Sequence, residues 1–141
     1  MMANYAVGDI QGCFEEFKEG LELIKFKSSN DFLWITGDLI NRGPDSFKVL
    51  EYVFKIKNSV HIVLGNHDLH YLNCFFNKKN LSDEDTFQSQ MFHKKSLKMA
   101  KFLLSSKIFF KFFFGLFFNS NPHSLDKVSA FLSDIFFGIP A

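Results

Sequence analysis

FLWITGDLINRGP, residues 32–44, carries the decision about the fold. Phe32 to Thr36 is a run too short for a helix, and its aromatic and branched side chains suit a buried strand. It empties at once into Gly37-Asp38, residues that favour turns. The same order of events occurs on either side: Asn4 to Val7 runs into Gly8-Asp9, and Val60 to Leu64 runs into Gly65-Asn66-His67-Asp68.

The intervening segments have helical periodicity. Phe14, Phe17, Leu21 and Ile24 recur at helical spacing, with Glu15, Glu16, Lys18, Glu19 and Glu22 between them, which predicts an amphipathic helix. Ser46 stands as the N-cap of a second helix carrying Val49, Leu50, Val53 and Phe54 on its apolar face. Strands alternating with helices predict an α/β fold of βαβαβα order with parallel pairing. All three polar clusters then lie on one edge of the sheet, at the carboxyl ends of the strands, where open α/β sheets bind ligands.

The chain has 141 residues, 47% of them hydrophobic and 22% charged, with a formal net charge of +1. That composition fits one domain at most and excludes a disordered or fibrous chain. Near-neutral charge argues against a nucleic-acid partner. Two cysteines, Cys13 and Cys74, supply neither a disulfide framework nor a zinc pattern, and Met1 to Gly8 lacks the plan of a secretory signal, so a cytoplasmic location is expected. Lys107 and Lys111 interrupt the apolar stretch Phe102 to Phe118, so no membrane span is expected either.

A change in composition divides the sequence. Residues 1–86 hold nine basic and thirteen acidic side chains and eight Phe, whereas residues 87–141 hold seven Lys, two Asp and thirteen Phe. The polar run Asn77 to Thr86 reads as an exposed connection between the two. Beyond it, Gln88 to Leu104 and Ser124 to Phe137 are compatible with helices, giving a helical, Phe-rich tail without a further strand-Gly-Asp pattern.

Repetition is what turns a turn motif into a candidate site. Asp9, Asp38 and the Asn66-His67 pair follow three successive parallel strands, so carboxylates, an amide and an imidazole converge. Like charges gathered together disfavour ionisation, and a divalent cation resolves the conflict. These are ligands for hard or borderline ions such as Mn²⁺, Mg²⁺ or Fe²⁺. With Asp38 as the natural bridge, two ions could activate a nucleophile and clamp a phosphoryl centre for hydrolysis. Arg42 is the only arginine of the chain and follows the second motif in the same loop; its planar fork suits phosphate oxygens, and a loop salt bridge is the alternative. For His67 the choice lies between a general acid for the leaving oxygen, with Asp68 beside it, and a role without proton transfer. His70 reads as a site-edge or surface residue, and His61, inside a strand, as structural.

The segments GDIQG at 8–12, GDLINRG at 37–43 and GNHD at 65–68 resemble, in order and spacing, the three N-terminal signatures of the calcineurin-like metallophosphoesterases. Within that family YAVGDIQGC, LWITGDLINRGP and VLGNHDLH are similar to the symmetrical bis(5'-nucleosyl)-tetraphosphatase branch; phosphoprotein phosphatases usually show GNHE and an acidic residue in the place of Asn41. The resemblance implies a double β-sandwich with flanking helices, two divalent ions (Mn²⁺, Co²⁺ or Mg²⁺), a dinucleoside polyphosphate substrate, and cleavage of diadenosine tetraphosphate into two ADP. By position it implies that Asp9 and Gln11 hold the first metal, that Asp38 bridges and that Asn66 holds the second. Arg42 would contact phosphate, with His67 as general acid and Asp68 its partner. Gln11 stands where most of the family has a histidine, which weakens the first metal's hold.

The resemblance covers Met1 to about Phe76, and the family's later AHAG-type and GHW-type motifs do not appear, so His93 and His123 are not assigned as ligands. With the change in composition, this predicts a truncated or frameshifted copy of impaired activity: residues 1–86 as the N-terminal half, residues 87–141 as a tail foreign to the family. The alternatives are a phosphoprotein or other phosphoester phosphatase and a non-catalytic fragment. The sequence sets no oligomeric state.

Overall fold

The computed structural model of the chain describes residues 2–78 and 81–105. The Phe-crowded block from Ile108 to Phe118 and the expected helix Ser124 to Phe137 lie outside the described residues. Strand β1 (Asn4–Val7), helix α1 (Phe14–Leu23), β2 (Phe32–Ile35), α2 (Ser46–Lys55), β3 (Val60–Ile62) and α3 (Asn66–Asn77) follow in the expected βαβαβα order. The short α4 (Gln88–Met91) and α5 (Ser96–Ser105) complete the described elements. The strands form one parallel sheet with β2 in the centre, and Val7 pairs with Ile35 and Ile35 with Ile62. The three strands therefore end level, and their loops emerge side by side.

Alternation decides which strand residues enter the core. Leu33, Ile35, Val60 and Ile62 are buried with Phe17 and Leu21 of α1, Val49, Leu50 and Val53 of α2, and Tyr71 and Leu72 of α3. Their neighbours Phe32, Trp34 and His61 stay half-buried on the opposite face. There His61 stacks on Phe32 with ring centres 5.6 Å apart and meets Trp34, tilted, at 4.5 Å.

Three details depart from the sequence reading. Ile24 lies just past α1, 40% exposed, where the apolar face has run out. Ser46 is the first residue of α2 rather than its cap, which is Asp45; its buried hydroxyl accepts instead from the Asn41 N–H at 3.0 Å. The helix expected from Gln88 to Leu104 is broken between Met91 and Ser96, where Ser96 N–H bonds to the His93 carbonyl at 2.8 Å and its hydroxyl to the same oxygen at 2.6 Å.

The change in composition is not matched by a change in packing among the described residues. Phe87, Met99, Ala100 and Leu103 belong to the same core as the strands, and α5 packs against α2 and α3. Nor is the segment before Phe87 wholly exposed, because Asp85 is buried.

Candidate functional site

The loops that follow the strands are knitted together by backbone. In the first two, Gln11 N–H donates to the Asp38 carbonyl at 2.8 Å, Gly12 N–H to Leu39 at 2.9 Å, and Gly43 N–H to Gln11 at 2.7 Å. The second and third meet through Asp38 itself, whose Oδ1 accepts from the His67 N–H at 2.9 Å. Such closeness explains the glycine of the third motif: a Cβ on Gly65 would fall on the side chain and backbone nitrogen of Asp38. Among the described residues, seven non-glycine positions have positive φ, and five of them, Asp9, Gln11, Asp38, Asn41 and Arg42, lie in these loops. Backbone held in the left-handed region by its surroundings gathers where a site has to be shaped.

The metal candidates lie in the loops after β1 and β2 and at the first residue of α3. Asp9 and Asn66 are exposed, and among the described residues neither side chain makes a hydrogen bond; Gln11 and Asp38 are half-buried, and Asp38 commits one oxygen to the His67 N–H. Two carboxylates and two amide oxygens with uncommitted lone pairs suit a hard divalent cation. Among the described residues no three His, Cys, Asp or Glu side chains cluster as a metal site.

Asp68 does not pair with His67, and that expectation is corrected. Its carboxylate is fully buried and turned inward, with Oδ1 accepting from Leu39 N–H and Oδ2 from Gly65 N–H, both at 3.0 Å. It thus reaches back to the residue capping α3, as the acidic member of a capping box does, while also pinning the second loop to the third. Burial pushes its carboxyl up to about 7, against the Gly65, Leu39 and Ile40 N–H groups, which favour the charged form; the nearby Asp38 adds to the rise.

The neighbour of His67 is Asn41, whose Nδ2 lies 3.2 Å from the imidazole Nδ1. The same Nδ2 donates to Asp85 Oδ1 at 3.0 Å, and Asp85 in turn meets His70 Nε2 at 3.0 Å. Burial would raise the Asp85 carboxyl, but bonds from His70, Ser82 N–H and Asn41 outweigh it and hold it below the ordinary carboxylate range. His70, read as a site-edge or surface residue, is thereby joined to the site through Asp85. Sequence reasoning missed Asp85: it lies in the polar run SDED, and only the Phe87 that follows it in the core signals that the chain has turned inward.

Arg42 is exposed, and its Nη1 lies 3.5 Å from Glu84 Oε2. Both side chains are more than half exposed, and such pairs are worth ~0–1 kcal/mol, so this contact would yield readily to a phosphate. His93 packs on Phe47, near the start of α2, with ring centres 4.0 Å apart.

The profile of the calcineurin-like phosphoesterase family matches residues 5–134, past Phe76 and past the change in composition. The chain is 52% identical over 88 residues to a protein of Nitrosospira multiformis named symmetrical bis(5'-nucleosyl)-tetraphosphatase, covering 62% of this chain and 32% of that one. Proteins of the same name are similar in Chromobacterium violaceum, at 61% identity over 71 residues (50% of this chain, 26% of the relative), and in Neisseria meningitidis, at 45% over 102 residues (72% and 37%). The chain thus spans about a third of the length of the curated relatives it matches.

Proposed function

The chain belongs to the calcineurin-like phosphoesterase family, and from that premise we propose that it carries the N-terminal part of a metal-dependent hydrolase that cleaves diadenosine tetraphosphate symmetrically into two ADP. The observation that carries this reading is the joining of the three post-strand loops, which bear carboxylate, amide, imidazole and guanidinium groups, at Asp38. The names of the curated relatives support the substrate. Two divalent cations, held by Asp9, Gln11, Asp38 and Asn66, would supply Lewis acidity and an activated water at neutral pH.

The chain's own groups then divide the remaining work. Arg42 binds non-bridging phosphate oxygens with its planar fork, a geometry that lysine does not offer. His67 serves the oxygen of the leaving ADP as a hydrogen-bond donor. Asp68 holds the second and third loops at fixed separation without touching the substrate. Asn41 and the GNHD motif support a nucleotide anhydride over a phosphoprotein.

The test is a substrate comparison. The full chain is incubated with Mn²⁺ and either diadenosine tetraphosphate or a phosphoserine peptide, with ADP and inorganic phosphate measured. ADP as the sole nucleotide product supports the proposal. Faster release of phosphate from the peptide would replace it with a phosphoprotein phosphatase, and no release from either, with no Mn²⁺ bound, would leave a non-catalytic fragment.

A further inference from the structure

Asn41 is the point where the second loop, α3 and the turn before Phe87 converge, and its hydrogen bonds have a fixed sense. Its Oδ1 accepts from the backbone N–H groups of Arg42 at 2.9 Å and Thr86 at 3.0 Å. Backbone N–H can only donate, so the orientation of the amide is settled and its other end is the NH₂. One of the two Nδ2 hydrogens goes to the Asp85 carboxylate at 3.0 Å, and the other faces His67 Nδ1 at 3.2 Å. Nδ1 can receive that hydrogen only if it carries none of its own, which places the ring proton of the neutral imidazole on Nε2. Asn41 is 3% exposed and Asp85 6%, so water is not there to substitute for either partner.

We propose that Asn41 is a positioning residue for His67: anchored from behind by Asp85, it fixes the ring's orientation and selects the tautomer that presents Nε2–H as the donor. The inference rests on the reading of His67 as the group that serves the leaving oxygen. Its logic is one of hydrogen-bond polarity. A carboxylate at position 41 would accept from the ring and demand a proton on Nδ1, whereas the amide donates and demands its absence. Asp85 secures that polarity, because a carboxylate accepts only and therefore holds the NH₂ end of Asn41 toward the histidine.

The decisive experiment is long-range ¹⁵N–¹H NMR on the full chain labelled at histidine, with His67 identified by its loss in His67→Gln and the spectrum taken where the ring is neutral. The expected wild-type pattern is a proton on Nε2 and a bare Nδ1. The swap Asn41→Asp with Asp85→Asn keeps the charge and the polar atoms but reverses their order, and it is expected to convert the bare Nδ1 resonance to the protonated type. A wild-type His67 protonated at Nδ1, or a swapped chain whose Nδ1 stays bare, overturns the proposal. Should the swapped chain not fold, Asn41→Ala decides: exchange-averaged ring nitrogens are expected, and an unaltered single tautomer overturns it. Because the readout is a tautomer and not turnover, its failure leaves the hydrolase reading standing, and an inactive chain with the expected tautomer leaves this one standing.

Discussion

A fully buried carboxylate has to be justified by what it holds, and Asp68 holds two loops through backbone N–H groups. Its displaced titration has a direction that can be worked out. The group releases its proton near 3.8 when unfolded and near 7 when folded. Below about pH 4 both forms are protonated and the group is neutral in its effect. Between about pH 4 and 7 the unfolded chain has lost the proton that the folded chain retains, so stability falls as pH rises, by a ceiling of about 4 kcal/mol. Urea midpoints should therefore be lower at pH 8 than at pH 5. Asp68→Asn should flatten that slope while costing about 1–3 kcal/mol in its own right, because an amide must turn its NH₂ against one of the two N–H donors; an unchanged slope would show that Asp68 is not its source. Glycines separate in the same way. Gly65→Ala drives a methyl into Asp38 and should cost about 3 kcal/mol. Gly20, inside α1 with nothing within 4 Å of a would-be Cβ, should tolerate alanine with a gain of about 0.5–1 kcal/mol. Thermal melts of the two variants, displaced in opposite directions, check the pair.

At the scale of elements, α5 tests how far the core reaches. Leu103 is fully buried and Met99 nearly so, on a helix that lies past the point where the composition turns from acidic to basic. If that helix is part of one cooperative unit, Leu103→Ala should cost about 2–5 kcal/mol in denaturant unfolding, as any large core truncation does. A cost below about 0.5 kcal/mol would make α5 an appendage. The comparison also shows what was legible in the sequence and why. Strands were, because a short apolar run that empties into Gly-Asp has few other interpretations, and the first two helices were, because their apolar spacing is regular. The three loops were placed on one edge because parallel order leaves them no other. What could not be read were contacts set by the third dimension: that Ser46 would serve Asn41 instead of capping its helix, that Asp68 would turn away from the imidazole beside it, and that Asp85 would be buried from within a polar run. Each depends on a partner about five to forty-four residues away, and no local pattern encodes such a partner.

For the molecule as a whole, the asymmetry of the sheet is what matters. One face of the described sheet is buried under helices, while on the other Phe32, Trp34 and His61 are half-buried. The outer edge of β3 lies beside a cleft of about 520 Å³ lined by Phe54, His61 and Phe102, with Lys57, Lys98 and Lys101 around it. Lysines next to a strand edge discourage edge-to-edge pairing. Trp34 is the chain's only tryptophan and sits on the sheet, so the molecule carries its own probe of unfolding. Phe32→Thr keeps a residue that favours strands and removes apolar area from the second face; it should lower the stability read from Trp34 emission in urea by no more than about 2 kcal/mol, because the Phe32 side chain does not lie in the core. A larger loss would mean that the second face of the sheet carries as much of the stability as the first.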